Sequence, residues 1–312
     1  MGNLPAFTHI HCSSRFDRSA DTLESDLDDW MTKSSIITVT EVQNNNRAST
    51  LREKGWNYFN AKLGGGRDDC AIAWRASDWD RVTAMVRRIS SVQYSRMPNA
   101  PAFYLYACTG VFKTKRTGHK LLVSVSHFPA HIEGAHGFKT TGDQWLARKR
   151  AYLTGLSGWS THVKDQMRKH HVDAAMIAGD WNLNQKDDWV QNLLNDHWGE
   201  NFHMAWQRFP TSGGSLHGGP VAPLGAPGKG THDRIIDGSL IYRLEVENEP
   251  QLMNRVLSSD HRPYTETFRF LAQGERPKQQ IKGVAKTYPE WWGFGDYMDD
   301  EIYELHRVTD DG

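Results

Sequence analysis

The sequence predicts an α/β domain, and three kinds of pattern support that fold class. The β-branched run Ile36–Thr40 is typical of a buried strand, whereas Ala20–Lys33 carries apolar residues at helical spacing. Further along, strands around 82–89, 103–112 and 121–126 are separated by turns that contain Pro or Gly. That succession predicts an antiparallel meander, so strands and helices are expected to share one large domain.

Composition and charge are those of an ordinary globular protein. Of 312 residues, 38% are hydrophobic and 24% are charged, and 37 Lys and Arg balance 37 Asp and Glu. This balance argues mildly against a tight non-specific DNA binder and leaves room for a local basic groove. Cys12, Cys70 and Cys108 lack metal-ligand spacing, so they predict buried thiols in a reducing compartment.

The first residues lack the charged and apolar regions of a signal peptide. No apolar run approaches the roughly 18 residues that a membrane helix needs. We therefore expect a cytoplasmic protein that makes no membrane contact, and nothing in the sequence implies an obligate protein partner.

A polar pair follows the apolar run at 176–179. Asp180 and Asn182 lie two residues apart, and a strand that continued through them would project both from one face. Open α/β sheets build their sites at such strand ends, and an acceptor beside a neutral donor suits a water next to a phosphate. The alternative is an Asx-rich turn that only closes a buried strand.

Two other strands end in a similar way. The strand at 36–40 leads into Glu41, and the strand at 121–126 leads into His127. Taken alone, Glu41 fits an exposed strand terminus and a single histidine is more often structural than catalytic. Their significance depends on whether the strand ends converge.

The remaining features concern helices and loops. A helix is predicted over 143–170, with a possible interruption near Gly155 and Gly158. The glycine triplet at 64–66 lacks the context of a nucleotide-binding loop and predicts a hairpin. The Gly- and Pro-rich stretch at 211–230 predicts a long loop of the kind that is usually functional or disordered.

Five motifs, each after an apolar strand, give the strand ends a common meaning. They are Thr40-Glu41-Val42-Gln43, Ser126-His127-Phe128-Pro129, Gly179-Asp180-Trp181-Asn182, Arg234-Ile235-Ile236-Asp237 and Ser259-Asp260-His261-Arg262-Pro263. In this order they resemble the endonuclease/exonuclease/phosphatase superfamily, the fold of DNase I, exonuclease III, neutral sphingomyelinases and inositol-polyphosphate 5-phosphatases. The resemblance spans about residues 7–270, and the last motif is the most specific.

The resemblance implies a four-layer sandwich in which two packed mixed β-sheets lie face to face and helices flank them. It implies a catalytic domain over residues 1–272, followed by an aromatic and acidic C-terminal extension over 273–312. The implied activity is divalent-metal-dependent phosphoester hydrolysis with Mg²⁺ or Mn²⁺, with a nuclease that cleaves DNA as the first expectation. A phosphatase or phosphodiesterase on a small or lipid phosphate is the second, and a catalytically inactive binding module the third.

By the same resemblance, the motif residues have expected roles in hydrolysis. Glu41 and Asp260 would bind the metal, for which carboxylate oxygens are suited. Asp180 would orient or deprotonate the attacking water. Asn182 and His127 would bind the phosphate.

Two histidines are expected to pair with carboxylates. His261 would act beside Asp237, which would orient its ring. In DNase-I-like members the counterpart of His127 pairs with an acid one strand earlier. Asp68 falls at that position, with Asp69 as a close competitor.

The first strand departs from the pattern of the superfamily, which places an asparagine there in support of the metal. Here His9 and His11 share one face of the strand and Ile10 the other, and we align His11 with the asparagine, with His9 as the other register. Imidazole favours Mn²⁺ over Mg²⁺, so His11 is a candidate metal ligand. Alternatively, it only hydrogen-bonds to Glu41 or Asp180.

Overall fold

Alternating apolar side chains organise the chain into two β-sheets in a computed structural model. The structure describes residues 4–13, 20–42, 54–63, 67–95, 101–130, 132, 142–208, 236–249, 251–252 and 263–278. The first sheet contains β1 (Ala6–Ser13), β2 (Ile36–Thr40), β3 (Trp56–Leu63), β4 (Arg67–Arg75), β11 (Leu244–Val246), β12 (Gln251–Leu252) and β13 (Tyr264–Phe270). The second contains β5 (Trp79–Arg88), β6 (Tyr106–Thr114), β7 (Lys120–His127), β8 (Ala174–Asp180), β9 (Phe202–Met204) and β10 (Asp237–Tyr242).

Each sheet has one parallel pair of strands at its centre. The first sheet has the order β11-β13-β1-β2-β4-β3, with β12 also paired to β13, and the second has the order β5-β6-β7-β8-β10-β9. Only β1/β2 and β7/β8 are parallel among the described pairs. Helix α1 (Ala20–Lys33) lies between β1 and β2 in the chain, and helix α2 (Asp143–His170) lies between β7 and β8. Both pairs are therefore β-α-β units, as parallel neighbours require.

Three clusters of buried apolar residues divide the molecule into four layers. One lies between the two sheets, a second packs α1 on the first sheet, and the third packs α2 and α3 (Asp188–Trp198) on the second sheet. The layers arise because successive side chains of a strand point to opposite faces. In β7, Leu121 and Val123 face the first sheet, whereas Leu122 faces the helices. The predicted four-layer sandwich of two mixed sheets is confirmed.

Several local predictions can be compared with this fold. The bounds of α1 and β2 are those predicted, and β5, β6 and β7 form the predicted antiparallel meander. All three cysteines are buried thiols, as predicted. None of the helices in the described ranges has the length and apolarity needed to cross a membrane. The loop at 211–230 and residues 279–312 lie outside the described residues, so the boundary at 272 stays a prediction.

Helix α2 runs without a break, so the expected interruption near its two glycines is wrong. A Cβ atom built on Gly158 would lie 2.0 Å from the carbonyl oxygen of Ile89, and one on Gly155 would lie 2.7 Å from Leu105 Cδ1. These glycines let the helix approach the neighbouring chain closely. Their absent side chains serve packing, not helix termination.

We expect Gly158→Ala to destabilise the protein by about 1–3 kcal/mol, as overpacking does, although alanine favours a helix. The added methyl group meets backbone that cannot rotate away. Gly155→Ala is the matched control, because its methyl group meets the end of a leucine side chain and should cost less. Urea unfolding of both variants checks this, and equal free energies of unfolding would contradict the packing account.

Candidate active site

The space between the sheets changes from apolar to polar toward the carboxyl ends of the two parallel pairs. Among the described residues, eleven polar or ionisable side chains line it, and each of these residues is 5% exposed or less. They are His9, His11, Ser13, Thr38, Thr40, Tyr264 and Glu266 from the first sheet, and His127, Asp180, Asp237 and Ser239 from the second. We call this set the polar layer. Buried polar groups are costly without hydrogen bonds, so their partners are informative.

At the mouth of the polar layer, an imidazole lies between two carboxylates. His127 Nε2 is 3.7 Å from Glu41 Oε1 and 3.6 Å from Asp180 Oδ2. The parallel register of β7 and β8 sets His127 beside Asp180, whereas Glu41 comes from the other sheet. The Glu41 side chain is 21% exposed, so the group reaches solvent. Three residues predicted from separate motifs thus meet at one point.

Asp180 and Asn182 meet through a turn that follows the end of β8. The Asn182 backbone has a φ of 53°, and its N–H donates to Asp180 Oδ1 over 3.0 Å. Asn182 Nδ2 donates to the carbonyl oxygen of Phe128 over 2.8 Å. The two alternatives from the sequence, a polar pair at a strand end and an Asx turn, therefore describe the same residues. The strand itself does not continue through Asn182.

Backbone strain marks a second strand end at the mouth. Glu41 follows β2 with a φ of 59°, in the left-handed region that non-glycine residues rarely adopt. Such conformations cost on the order of 1 kcal/mol or more and cluster at functional sites. This conformation turns the chain immediately after the buried strand, at the point where the carboxylate meets His127.

Two hydroxyl groups at the mouth were missed by sequence reasoning. Ser13 Oγ donates to Asp180 Oδ2 over 3.4 Å, and Thr40 Oγ1 donates to Ser13 Oγ over 3.0 Å. Both residues occupy inward positions at the ends of parallel neighbours. Every second side chain of a strand lies on the same face, so the residue two positions after His11, Ser13, could have been predicted to point inward as well.

Below the mouth, His11 faces protein atoms on both sides of its ring. Its Nδ1 is 2.8 Å from Thr38 Oγ1, and its Nε2 is 3.5 Å from Asp237 Oδ1. His9 lies deeper, with Nε2 2.8 Å from the same Thr38 oxygen and Nδ1 3.2 Å from Glu266 Oε2. Both histidines that could align with the asparagine of the superfamily therefore lie in the polar layer. His11 stays a predicted metal ligand.

Burial keeps the deep members of the polar layer uncharged near neutral pH. It raises the pKa of Glu266 to about 8, against the opposing effects of a hydrogen bond from Ser239 and of His11. Burial, and then the neighbouring His11, hold the pKa of His9 well below its usual value. The pKa of Tyr264 is raised well above its usual value, mainly by burial and then by Glu266.

Other predicted site residues are placed only in part. Asp260 and His261 lie outside the described residues. Asp68 belongs to β4, where its backbone lies opposite Lys62. Its predicted pairing with His127, and that of Asp237 with His261, therefore stay predictions.

The donor chemistry of the mouth suits a hard divalent cation. Among the described residues, no three His, Cys, Asp or Glu side chains are arranged to hold a metal ion. Glu41 nevertheless presents carboxylate oxygens at a partly exposed position, which Mg²⁺ and Mn²⁺ prefer. The predicted ligand set adds Asp260 and His11 to Glu41.

Solved structures similar to this chain share its two-sheet architecture. An endonuclease/exonuclease/phosphatase from Bacteroides vulgatus matches with a TM-score of 0.59 and 14% identity, over 85% of this chain and 99% of that chain. TDP2 from D. rerio, complexed with a single-strand DNA product, matches with a TM-score of 0.59 and 13% identity, over 85% and 99%. The mannosyl-6-phosphatase from Bacteroides thetaiotaomicron matches with a TM-score of 0.56 and 16% identity, over 84% and 99%.

No family model matches the sequence, and no curated protein matches it either. At identities this low, the structural likeness establishes the fold. The chain has the fold of the endonuclease/exonuclease/phosphatase superfamily, as its ordered motifs predict.

The raised pKa of Glu266 predicts a stability that falls with rising pH. The unfolded chain ionises this carboxyl near pH 4.5, whereas the folded protein keeps it protonated to about pH 8. Its contribution is complete below the unfolded pKa and is lost as pH rises through the folded pKa. Glu266→Gln keeps the shape without the titration, so the wild type should lose stability relative to this variant between about pH 6 and 9.

Urea unfolding of both proteins across that range measures the difference. Glu275→Gln is the control, because hydrogen bonds from Arg269 and the Ala272 backbone lower the pKa of Glu275 to about 2. That group does not titrate between pH 6 and 9, so its difference curve should stay flat. A flat curve for Glu266→Gln as well would contradict the assignment of a neutral Glu266.

Proposed function

We propose that the protein is a divalent-metal-dependent phosphoester hydrolase whose preferred substrate is the phosphodiester of DNA. The observation that carries the proposal is the meeting of His127 with Glu41 and Asp180, at 3.7 and 3.6 Å, where the parallel pairs of both sheets end. Hydrolysis of a phosphoester needs an acceptor for the water proton, donors for the phosphate oxygens and a cation to neutralise charge. The mouth and its predicted neighbours supply residue types for all three.

Asp180 is the group that accepts the proton of the attacking water. The Asn182 N–H holds its Oδ1 at 3.0 Å and the Ser13 hydroxyl lies 3.4 Å from its Oδ2, so the carboxylate is oriented from two sides. The water oxygen bonds to phosphorus, its proton passes to Asp180, and the ester oxygen leaves. His261, oriented by Asp237, protonates the leaving oxygen in this proposal.

The phosphate is bound beside Asp180. His127 donates from Nε2 once substrate competes with the carboxylates, and the Asn182 amide carries a second N–H besides the one on Phe128. Glu41 and Asp260 would hold a divalent cation, which when bound would neutralise charge on the phosphate. His127 and Asn182 thus hold the phosphate with donors that lie at the ends of two neighbouring strands.

A basic and aromatic rim at the same end of the second sheet favours a nucleic acid. Arg88 pairs with Tyr106, and Ala107 pairs with Ser126, so the end of β5 lies at the end of the sheet that carries His127. Arg88 is exposed and its guanidinium lies 4.6 Å from the centre of the Tyr104 ring. Cations and aromatic faces together suit a phosphate backbone and its bases.

A small or lipid phosphate is the second candidate substrate, and two observations favour it. The equal numbers of basic and acidic residues, 37 each, give the whole molecule no attraction for a polyanion. A mannosyl-6-phosphatase also shares the fold. The deciding experiment incubates the protein with supercoiled plasmid, linear duplex, single strands, RNA and a phosphoinositide, each with Mg²⁺, Mn²⁺ or EDTA. If only the phosphoinositide were hydrolysed, the substrate would be a lipid phosphate and the DNA proposal would be wrong.

Glu41→Gln, Asp180→Asn and His127→Ala should each reduce turnover by at least about 10²-fold, because each removes a group that contacts reactants or metal. Circular dichroism and unfolding curves should show that all three variants fold. Asp80→Asn is the control, since its carboxylate is 64% exposed at the opposite end of β5. A near-wild-type rate for any of the three site variants would contradict its assigned role.

Arg88→Ala should weaken binding to long DNA and reduce the dependence of log Kd on log salt by about one unit, as loss of one phosphate contact does. Turnover of a small phosphodiester should not change. Arg81→Ala is the matched control, because Arg81 also lies over an aromatic ring, 5.9 Å from the centre of Trp74, farther from the site end of β5. If both variants changed the dependence of log Kd on log salt equally, the rim would not be part of the DNA interface.

A further inference from the structure

A row of side chains crosses the second sheet at the level of the mouth. Because Ala107 of β6 pairs with Ser126 of β7, the residues one step nearer the mouth, Tyr106 and His127, lie opposite each other. Tyr106 also pairs with Arg88 on the edge strand β5. With the neighbour of His127 on β8, the row on four adjacent strands consists of Arg88, Tyr106, His127 and Asp180.

The outer two members of the row face the space between the sheets, as His127 does. Cys108, two residues after Tyr106, belongs to the apolar cluster between the sheets. Val86, two residues before Arg88, packs against the same cluster. Side chains two residues apart in a strand leave on the same face. Tyr106 and Arg88 therefore point toward the side of the sheet on which the proposed chemistry takes place.

The ring of Tyr106 is available to a ligand. The residue is partly exposed and belongs to none of the three apolar clusters. Within the described ranges, no side chain forms a hydrogen bond with its hydroxyl group or places a ring or a cation over its ring. Tyr104 differs, because the Arg88 guanidinium already lies 4.6 Å from the centre of its ring. Tyr106 is thus the aromatic side chain beside His127 that a substrate can cover.

We propose that Tyr106 is a stacking platform for the nucleoside next to the scissile phosphate, so that the site takes an unpaired nucleotide. The inference rests on the proposed function, because it is hydrolysis that brings the scissile phosphate to His127. The order along the row is then the scissile phosphate at His127, a base on Tyr106 and a further phosphate at Arg88. An aromatic ring stacks on any base, so this subsite does not select a sequence.

The position of the ring explains why the nucleotide is unpaired. Neighbouring strands lie about 4.8 Å apart, so Tyr106 is within reach of the nucleoside whose phosphate contacts His127. In an intact duplex, both faces of each base are covered by the next bases of the stack. A protein ring can cover one of those faces only when the base has left the stack, as in a single strand or a frayed end. The site therefore favours single strands over a closed duplex.

Substitutions of Tyr106 test the platform through binding. Tyr106→Leu should weaken binding of a single-stranded oligothymidylate about tenfold or more, because one base stack is lost, whereas Tyr106→Phe keeps the ring and should bind as the wild type does. The dependence of log Kd on log salt should not change, because no charge is removed. Fluorescence anisotropy of a labelled strand with phosphorothioate linkages, which slow hydrolysis, measures Kd. Wild-type affinity in Tyr106→Leu, or a loss in Tyr106→Phe as large as in Tyr106→Leu, would overturn the proposal.

Tyr242→Leu is the matched control for Tyr106→Leu. Tyr242 is a partly exposed tyrosine at the end of β10 opposite to Asp237, and its ring centre lies 5.3 Å from that of Phe202. The variant should lose stability and keep the affinity of the wild type for the oligothymidylate. Circular dichroism and unfolding curves show whether each variant folds. Equal losses of affinity in the two leucine variants would mean that the effect is general and would overturn the platform.

Substrates that lack a base test the same contact in the wild-type protein. A thymidine dinucleotide has one phosphodiester bond, and versions without the base on one side or the other keep that bond. Removal of the base that stacks on Tyr106 should lower kcat/KM about tenfold, and Tyr106→Leu should cause little further loss on that substrate. Equal kcat/KM of the wild type on all three substrates would overturn the proposal.

Single-stranded and duplex DNA of one sequence complete the test. The wild type should hydrolyse the single strand faster, and faster hydrolysis of the duplex would overturn the inference of an unpaired nucleotide. If the wild type hydrolysed none of the phosphoesters tested, the proposed function would fail. The affinities of the Tyr106 variants for the phosphorothioate strand would still decide whether the stacking platform exists.

Discussion

Ionisable side chains are buried between the two sheets, and the cost of burying them governs how the molecule is built. An unpaired carboxylate or imidazole in such an interior costs several kcal/mol, so each must be neutral or hydrogen-bonded. The fold meets this requirement by graded burial. Apolar side chains fill the closed part of the inter-sheet space, neutral polar groups such as His9 and Glu266 follow, and carboxylates such as Glu41 lie where solvent begins.

The two parallel pairs explain why that gradient ends in a candidate site. Their carboxyl ends face one another, so inward side chains of β1, β2, β7 and β8 converge without long loops. The mouth residues His127, Glu41 and Asp180 come from three strand ends, and residues of the polar layer contact them from below. Rigid strands therefore position the reacting groups, which favours catalysis by preorganised geometry.

The sequence predicted those features that depend on local periodicity and on motif order. It located α1 and β2 correctly, and it identified the strand ends at Glu41, His127 and Asp180 that the fold brings together. It failed where the meaning of a residue depends on distant neighbours. The glycines of α2 looked like helix breakers because Ile89, which Gly158 approaches, lies about seventy residues earlier. Glu266 and Thr38 were overlooked because a single acid or threonine in a strand gives no sign of a buried partner.

A crystal structure with Mn²⁺ and inorganic phosphate would locate both ions at the mouth, because anomalous scattering identifies the metal. The proposed arrangement gives the polar layer a charged, metal-binding mouth and a neutral interior. It predicts Mn²⁺ against Glu41 and phosphate beside His127 and Asn182. A mouth that binds neither ion would contradict this arrangement.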